Sequence, residues 1–179
     1  MSTIKIATVW LDGCSGCHMS FLDLDETLLD LAPRFELVYS PLVDFKVFPE
    51  SVDVALVEGA VASVEDEHKI KLIRKNSKLL VAMGDCAVTG NVPAMRNAFG
   101  PLPILERAYH QKENVTLNPQ TPNRIVPQLL EVVRPVHEFV TVDLYLPGCP
   151  PSAQTFAYAV TELLDGRIPD VSTLTRFGA

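Results

Sequence analysis

Cationic side chains, long apolar runs and cysteine are all scarce in this 179-residue chain. The 15 Lys and Arg are outnumbered by 22 Asp and Glu, for a formal net charge of −7. That balance excludes binding driven by neutralising nucleic-acid phosphates. No cluster of basic residues marks a face for an anionic membrane. No apolar stretch approaches the ~20 residues that span a bilayer, and the first residues show neither a basic segment leading into a long apolar one nor a twin arginine. We therefore expect a cytoplasmic chain whose partners are proteins or small molecules, not nucleic acid and not membrane. In a reducing compartment thiols stay reduced, so the 4 cysteines point to metal or redox chemistry instead of a disulfide framework.

What is present suffices for one ordinary buried core. At 47% hydrophobic residues, the length suits a single domain over 1–179. Short apolar runs alternate with segments of helical spacing. Ile4–Trp10, Phe35–Ser40, Asp53–Gly59, Lys78–Gly84 and Val140–Leu146 read as strands. Phe21, Leu24, Leu28 and Leu31 predict a first helix. Ser63 with Asp66 three residues later predicts a capping box at the start of a surface helix through Lys75. Ser152–Leu164 predicts a last helix, and the stretch from Asp165 to Ala179 carries no strong pattern.

The alternation fails over 91–140. Seven of the 14 prolines fall there, at 93, 101, 103, 119, 122, 127 and 135. We expect an irregular, partner-contacting segment, with short helices near Val92–Phe99 and Ile125–Val133 and a long loop over Tyr109–Asn123. Strands alternating with helices argue for a three-layer α/β architecture. The simplest form is a flavodoxin-like open, mostly parallel sheet, with the irregular proline-rich segment before the last strand.

The cysteines are spaced Cys14-x2-Cys17-x68-Cys86-x62-Cys149. Each follows a strand end, so all four are expected at one rim of the sheet, where ligands gather in open α/β folds. The spacing is unlike that of a compact zinc knuckle pair. Four thiolates suit either zinc or an iron-sulfur cluster. Cys149-Pro150 has the form found at bacterial ferredoxin sites, which favours the cluster. Structural zinc in a non-catalytic module is the alternative from a different class.

Four stretches carry a family resemblance: Asp12-Gly13-Cys14-Ser15-Gly16-Cys17-His18-Met19-Ser20, Val57-Glu58-Gly59-Ala60-Val61, Gly84-Asp85-Cys86-Ala87 and Pro147-Gly148-Cys149-Pro150-Pro151. In this order, and over nearly the whole chain, they resemble the small subunits of nickel-iron hydrogenases, and among them the short small subunits of cytoplasmic, bidirectional NAD-reducing enzymes. The resemblance implies a flavodoxin-like fold and one 4Fe-4S cluster on Cys14, Cys17, Cys86 and Cys149. It implies a nickel-iron centre in a large partner subunit, and electrons passed to diaphorase subunits that carry flavin and iron-sulfur clusters and reduce NAD. This chain would be an oxidoreductase subunit with no catalytic residue of its own. Respiratory members of the family carry further cysteines, a histidine and an export signal; the resemblance is to the short members, expected to lack these additions. The related cluster-bearing subunit of complex I uses adjacent cysteines, unlike Cys14-x2-Cys17.

Around the cysteines, Gly13, Gly16 and Gly148 are expected to let main-chain amides approach the cluster. The resemblance places Glu58 near the subunit boundary, for a proton path or for tuning the cluster; a hydrogen-bonded structural carboxylate is the competing reading. We expect His18 to be partly exposed on a first helical turn, His137 not to be a ligand, and Asp12 to cap turn amides. FMN would need a hydroxyl-rich phosphate loop where Ser15 and Gly16 stand, so it is not assigned to this chain. With its rim meant for a large subunit, the isolated chain is expected to aggregate.

Overall fold

A computed structural model describes residues 3–111 and 120–175. Most of the expected loop at Tyr109–Asn123, and the last four residues of the tail, lie outside the described residues. Five strands form one parallel sheet: β1 (Ile4–Trp10), β2 (Phe35–Tyr39), β3 (Val52–Glu58), β5 (Ser77–Met83) and β7 (Leu144–Leu146). Their order, β2-β1-β3-β5-β7, is the expected flavodoxin-like one. A separate antiparallel pair joins β4 (Val61–Ser63) to β6 (Leu129–Arg134).

Period-two alternation sorts the central strands between two cores. Val54 and Leu56 of β3 and Val81 and Met83 of β5 face one way. They pack under α1 (Gly16–Leu22), α2 (Glu26–Leu31) and α7 (Ala153–Leu164), through Phe21, Leu31, Phe156 and Val160. Ala55, Val57, Leu80 and Ala82 face the other way, against Ile70 and Ile73 of α3 (Val64–Asn76) and Ala87 and Val88 of α4 (Gly84–Thr89). Every parallel strand of the centre is thus covered on both faces, which is why each reads as a continuous apolar run.

The capping box forms as expected. Ser63 Oγ accepts from the Asp66 amide at 3.1 Å, and Asp66 Oδ2 accepts from the Ser63 amide at 2.9 Å.

Four expectations need correction. The first helix is two helices, parted where Asp25 takes a positive φ of 48°; Asp23 and Asp25 favour turns over helix interiors, and the break lets Leu24 turn into the core. Ile125–Val133 is not helical: Ile125 has φ 70°, and Val132 and Val133 join β6. The last strand keeps only Leu144–Leu146, because Asp143 turns its side chain to accept from the Leu80 amide at 2.7 Å and to meet Arg74. Finally, Pro101–Tyr109 forms a helix, α6. Its two prolines sit in the first turn, where no intrahelical amide donor is needed. Between α4 and α6 lie α5 (Asn91–Ala94) and a 3-10 turn over Met95–Ala98.

Candidate metal centre

Strands β1, β5 and β7 end at the same rim, and the chain leaves each of them into a turn that carries cysteine. Cys14 and Cys17 flank the entry to α1, Cys86 lies in the first turn of α4, and Cys149 follows β7. Cys14, Cys86 and Cys149 line one cavity of about 260 Å³, with Asp12, Gly13, Val92 and Pro93. Cys17 is buried beside it, while Cys14 and Cys149 are exposed. The structure therefore brings together all four sequence-selected thiols. Among the described residues, no three His, Cys, Asp or Glu side chains converge closely enough to hold a single metal ion. The thiols frame a space, not a point.

Small residues create room for the sulfurs. Gly84 has φ +82°, and a Cβ built there would lie 2.1 Å from Cys17 Sγ; only glycine lets β5 turn into α4 against that thiol. Amide and side-chain donors surround the set. Gly16 N–H points at Cys14 Sγ at 3.4 Å, Asn91 Nδ2 at Cys149 Sγ at 3.5 Å, and the Val92 amide at Cys86. Of the glycines expected to serve the sulfurs, Gly16 donates to one directly. Gly13 instead packs against the Gly59 main chain, and Gly148 is tied to Asp85.

The electrostatics are those of a crowded thiol site. Burial raises the Cys17 thiol far above its ordinary range, reinforced by the negative surroundings of Glu58 and the other three cysteines. Burial also pushes Cys86 up to about 11, with Cys14, Cys149 and Glu58 adding to it and the Val92 amide opposing. Both shifts favour the protonated thiol over the thiolate at Cys17 and Cys86. A metal cluster would have to displace those protons on binding.

Glu58 and His18 form a buried pair, each at most 3% exposed. Glu58 ends β3 and reaches across to α1. Its carboxylate accepts from the Cys17 amide at 3.4 Å, the His18 amide at 3.1 Å and the His18 ring at Nδ1. His18 is therefore not the partly exposed histidine expected of a first turn; it is a buried partner of Glu58, with its ring 6.2 Å from that of Trp10. Neither the apolar surroundings of β3 nor the helix pattern signals this contact, because it joins residues 40 positions apart. His137 sets its ring edge-on to Tyr145. Asp12 ties the loop through its main chain, by paired bonds of 3.0 and 2.7 Å with Ala60, and not by the expected side-chain cap. Asp85, which sequence reasoning passed over, is buried and bonds the Gly148 amide at 2.7 Å. Its signal was its place between Gly84 and Cys86 at a strand end.

Residues 14–163 match the family described as NADH ubiquinone oxidoreductase, 20 Kd subunit. The chain is 38% identical to the delta subunit of the NAD-reducing hydrogenase HoxS of Cupriavidus necator, over 97% of its own length and 85% of the relative's. It is 39% identical to a subunit of the F420-non-reducing hydrogenase (vhu) of Methanocaldococcus jannaschii, over 95% of its own length and 59% of the relative's. It thus spans about three-fifths of the length of such archaeal relatives. The fold superposes on a chain of the crystal structure of an NAD+-reducing NiFe-hydrogenase in the H2-reduced state, with a TM-score of 0.94, 40% identity, and coverage of 98% of this chain and 99% of that one. The NiFeSe hydrogenase of Desulfomicrobium baculatum shares the fold alone, at 20% identity and a TM-score of 0.54 over 94% of this chain and 67% of that one. The four thiols at one rim thus sit in a chain that belongs to the 20 Kd NADH ubiquinone oxidoreductase family, on its branch of hydrogenase small subunits.

Proposed function

We propose that this chain is the electron-transfer small subunit of a cytoplasmic NAD-reducing nickel-iron hydrogenase, with Cys14, Cys17, Cys86 and Cys149 as ligands of one 4Fe-4S cluster. The observation that carries the reading is the gathering of four thiols from three strand ends, three lining one cavity and Cys17 buried close to them. A tetrahedral zinc site would draw its sulfurs to about 3.8 Å of one another, from Zn–S bonds of about 2.3 Å. Thiols ringed around a space suit the corners of a cube better.

A 4Fe-4S cluster held there supplies uptake and release of single electrons. The residues of this chain do the rest. The four thiolates give up their protons and fix the site between the strand ends. Donors at Gly16, Asn91 and Val92 spread the negative charge of the sulfurs, while Glu58 adds negative charge behind them; the balance sets how readily an electron is held. Hydrogen would be split to protons and electrons in a large partner subunit carrying the nickel-iron centre. The electrons would leave toward flavin- and iron-sulfur-bearing diaphorase subunits that reduce NAD. The large subunit would cover the rim and part of 91–140, where Val92, Met95, Phe99 and Leu102 are each at least 62% exposed.

The test is anaerobic purification of the chain with its native partners. We expect about four irons and four acid-labile sulfides on this subunit, and hydrogen-dependent reduction of NAD by the complex, with other acceptors run in parallel. Stoichiometric zinc without labile sulfide would overturn the reading. So would a cluster that persists when Cys14, Cys86 and Cys149 are all replaced by alanine.

A further inference from the structure

The residue directly before Cys86 and the residue directly before Cys149 are bonded to each other twice. The Asp85 amide donates to the Gly148 carbonyl at 2.9 Å, and the Gly148 amide donates to Asp85 Oδ1 at 2.7 Å. One residue therefore holds both main-chain hydrogen-bonding groups of Gly148, the N–H and the C=O. Asp85 is 5% exposed, so the bond from its carboxylate is shielded from water and, being charge-assisted, is of the stronger kind. Only glycine fits at position 148. It has φ +142°, and a Cβ there would fall 2.7 Å from the Pro151 main chain. Asp85 is fixed in turn from its own helix, where its carbonyl accepts from Thr89 Oγ1 at 2.8 Å.

The β5–β7 ladder already brings these strands together as far as Met83 and Leu146. Beyond that point the chains diverge into separate turns, and a parallel ladder supplies no further bonds. The ring between Asp85 and Gly148 is what continues the pairing for one more step, to the cysteines themselves.

We propose that Asp85 is a positioning residue: its carboxylate and amide clamp the Gly148 peptide and so preset the separation of Cys86 and Cys149 before a cluster is inserted. The proposal rests on the reading of those two cysteines as cluster ligands. It adds that the third and fourth ligands form one preassembled half of the site. In the other half, Cys17 is tied separately through Glu58 to β3.

The test uses the complex purified anaerobically, with Asp85→Ala and Asp85→Asn beside the native chain. Iron and sulfide content, the electron paramagnetic resonance of the reduced cluster and its midpoint potential are read for each. Asp85→Ala is expected to lose more than half its iron and to show altered g-values in what remains. Asp85→Asn keeps an oxygen that can accept from Gly148; it is expected to restore the iron content, with a potential shifted upward because a buried negative charge is gone. If Asp85→Ala does not accumulate as folded protein, Asp85→Asn decides alone. Variants that are less stable, yet whose loaded fraction has native g-values and potential, would reduce Asp85 to a structural residue and overturn the proposal. A native complex lacking iron and sulfide would instead overturn the assignment of the cluster, a separate and distinguishable failure.

Discussion

The cysteine-bearing rim and the segment that packs beside it are held together by different means. At the rim, buried carboxylates at strand ends reach main-chain amides on other elements: Glu58 reaches α1, and Asp85 reaches the turn after β7. Beside it, β4 and β6 form a two-stranded sheet too small to close a core of its own. That sheet is fastened from outside by neutral and cationic side chains. Asn97 both donates to the Val133 carbonyl and accepts from its amide, at 2.8 Å each. Arg96 donates to the carbonyls of Ala62 and Leu130 at 3.0 and 2.9 Å. The rim is fixed by burial and charge, and the small sheet by half-buried hydrogen bonds beneath exposed apolar residues. Damage at the rim should therefore disturb the thiol site, and damage to the small sheet should cost stability alone.

The largest effect is expected at Glu58. Replacing it with alanine leaves the Cys17 and His18 amides and the His18 ring nitrogen without their acceptor inside the protein. At about 1–3 kcal/mol for each stranded buried group, we expect a loss of ~3 kcal/mol or more. Cluster content should fall with it, because Cys17 sits on the freed turn. Glu58→Gln keeps one oxygen and should cost less than half as much. Urea unfolding and iron analysis of both variants check this. A Glu58→Ala complex with native stability and native iron would erase the distinction between the two regions.

The same comparison explains what could be read from the sequence. The strand-end rim was legible because central parallel strands are apolar on both faces, and Val54–Val57 and Leu80–Met83 leave no competing pattern. Four cysteines immediately after such strands could only meet at one edge. The segment over 91–134 was not legible, for two reasons. Pro101 and Pro103 interrupt a helix in its interior but not in its first turn, and only the helix start at Gly100 distinguishes the cases. β6 has no alternation of its own, since Glu131 and Val132 are both exposed while Val133 is buried; its partner β4 is three residues long and lies 66 positions upstream of the Leu129 it pairs with through Ser63. Long-range pairing of that kind is set by tertiary packing and leaves no local signal. The Glu58–His18 contact escaped for a related reason: a carboxylate at a strand end and a histidine on a first turn are individually ordinary.

A smaller effect is expected from Asn97→Ala. Two bonds to Val133 are lost, but the site is half-buried and water can replace part of them. The cost should be about 1–2 kcal/mol, with iron content, cluster spectrum and potential unchanged. Loss of iron in this variant would show that the small sheet supports the thiol site after all, and that the two regions are not independent.

The smallest effect separates two acids at the same rim. Glu58 has three donors, whereas Asp12 lines the thiol cavity and is bonded there through its main chain. Partial burial raises the Asp12 carboxyl above its usual 3.8, the charge of Asp66 adds to the rise, and Arg96 opposes it. A folded-state value above the unfolded one means that the protonated form is the one folding favours. The stability this contributes is complete below about pH 3.8 and is lost as the pH rises through the raised value. At neutral pH the ionised Asp12 is then a small liability, discounted by its exposure to solvent. Asp12→Asn keeps the main-chain bonds to Ala60 and removes the charge. We expect the cluster-free variant to be slightly more resistant to urea than the native chain at pH 7, by no more than about 0.5 kcal/mol. The advantage should vanish near pH 3.5, where the native carboxyl carries its proton. A variant weaker than the native chain at pH 7 would mean that the Asp12 side chain holds a partner there, and the contrast with Glu58 would fail.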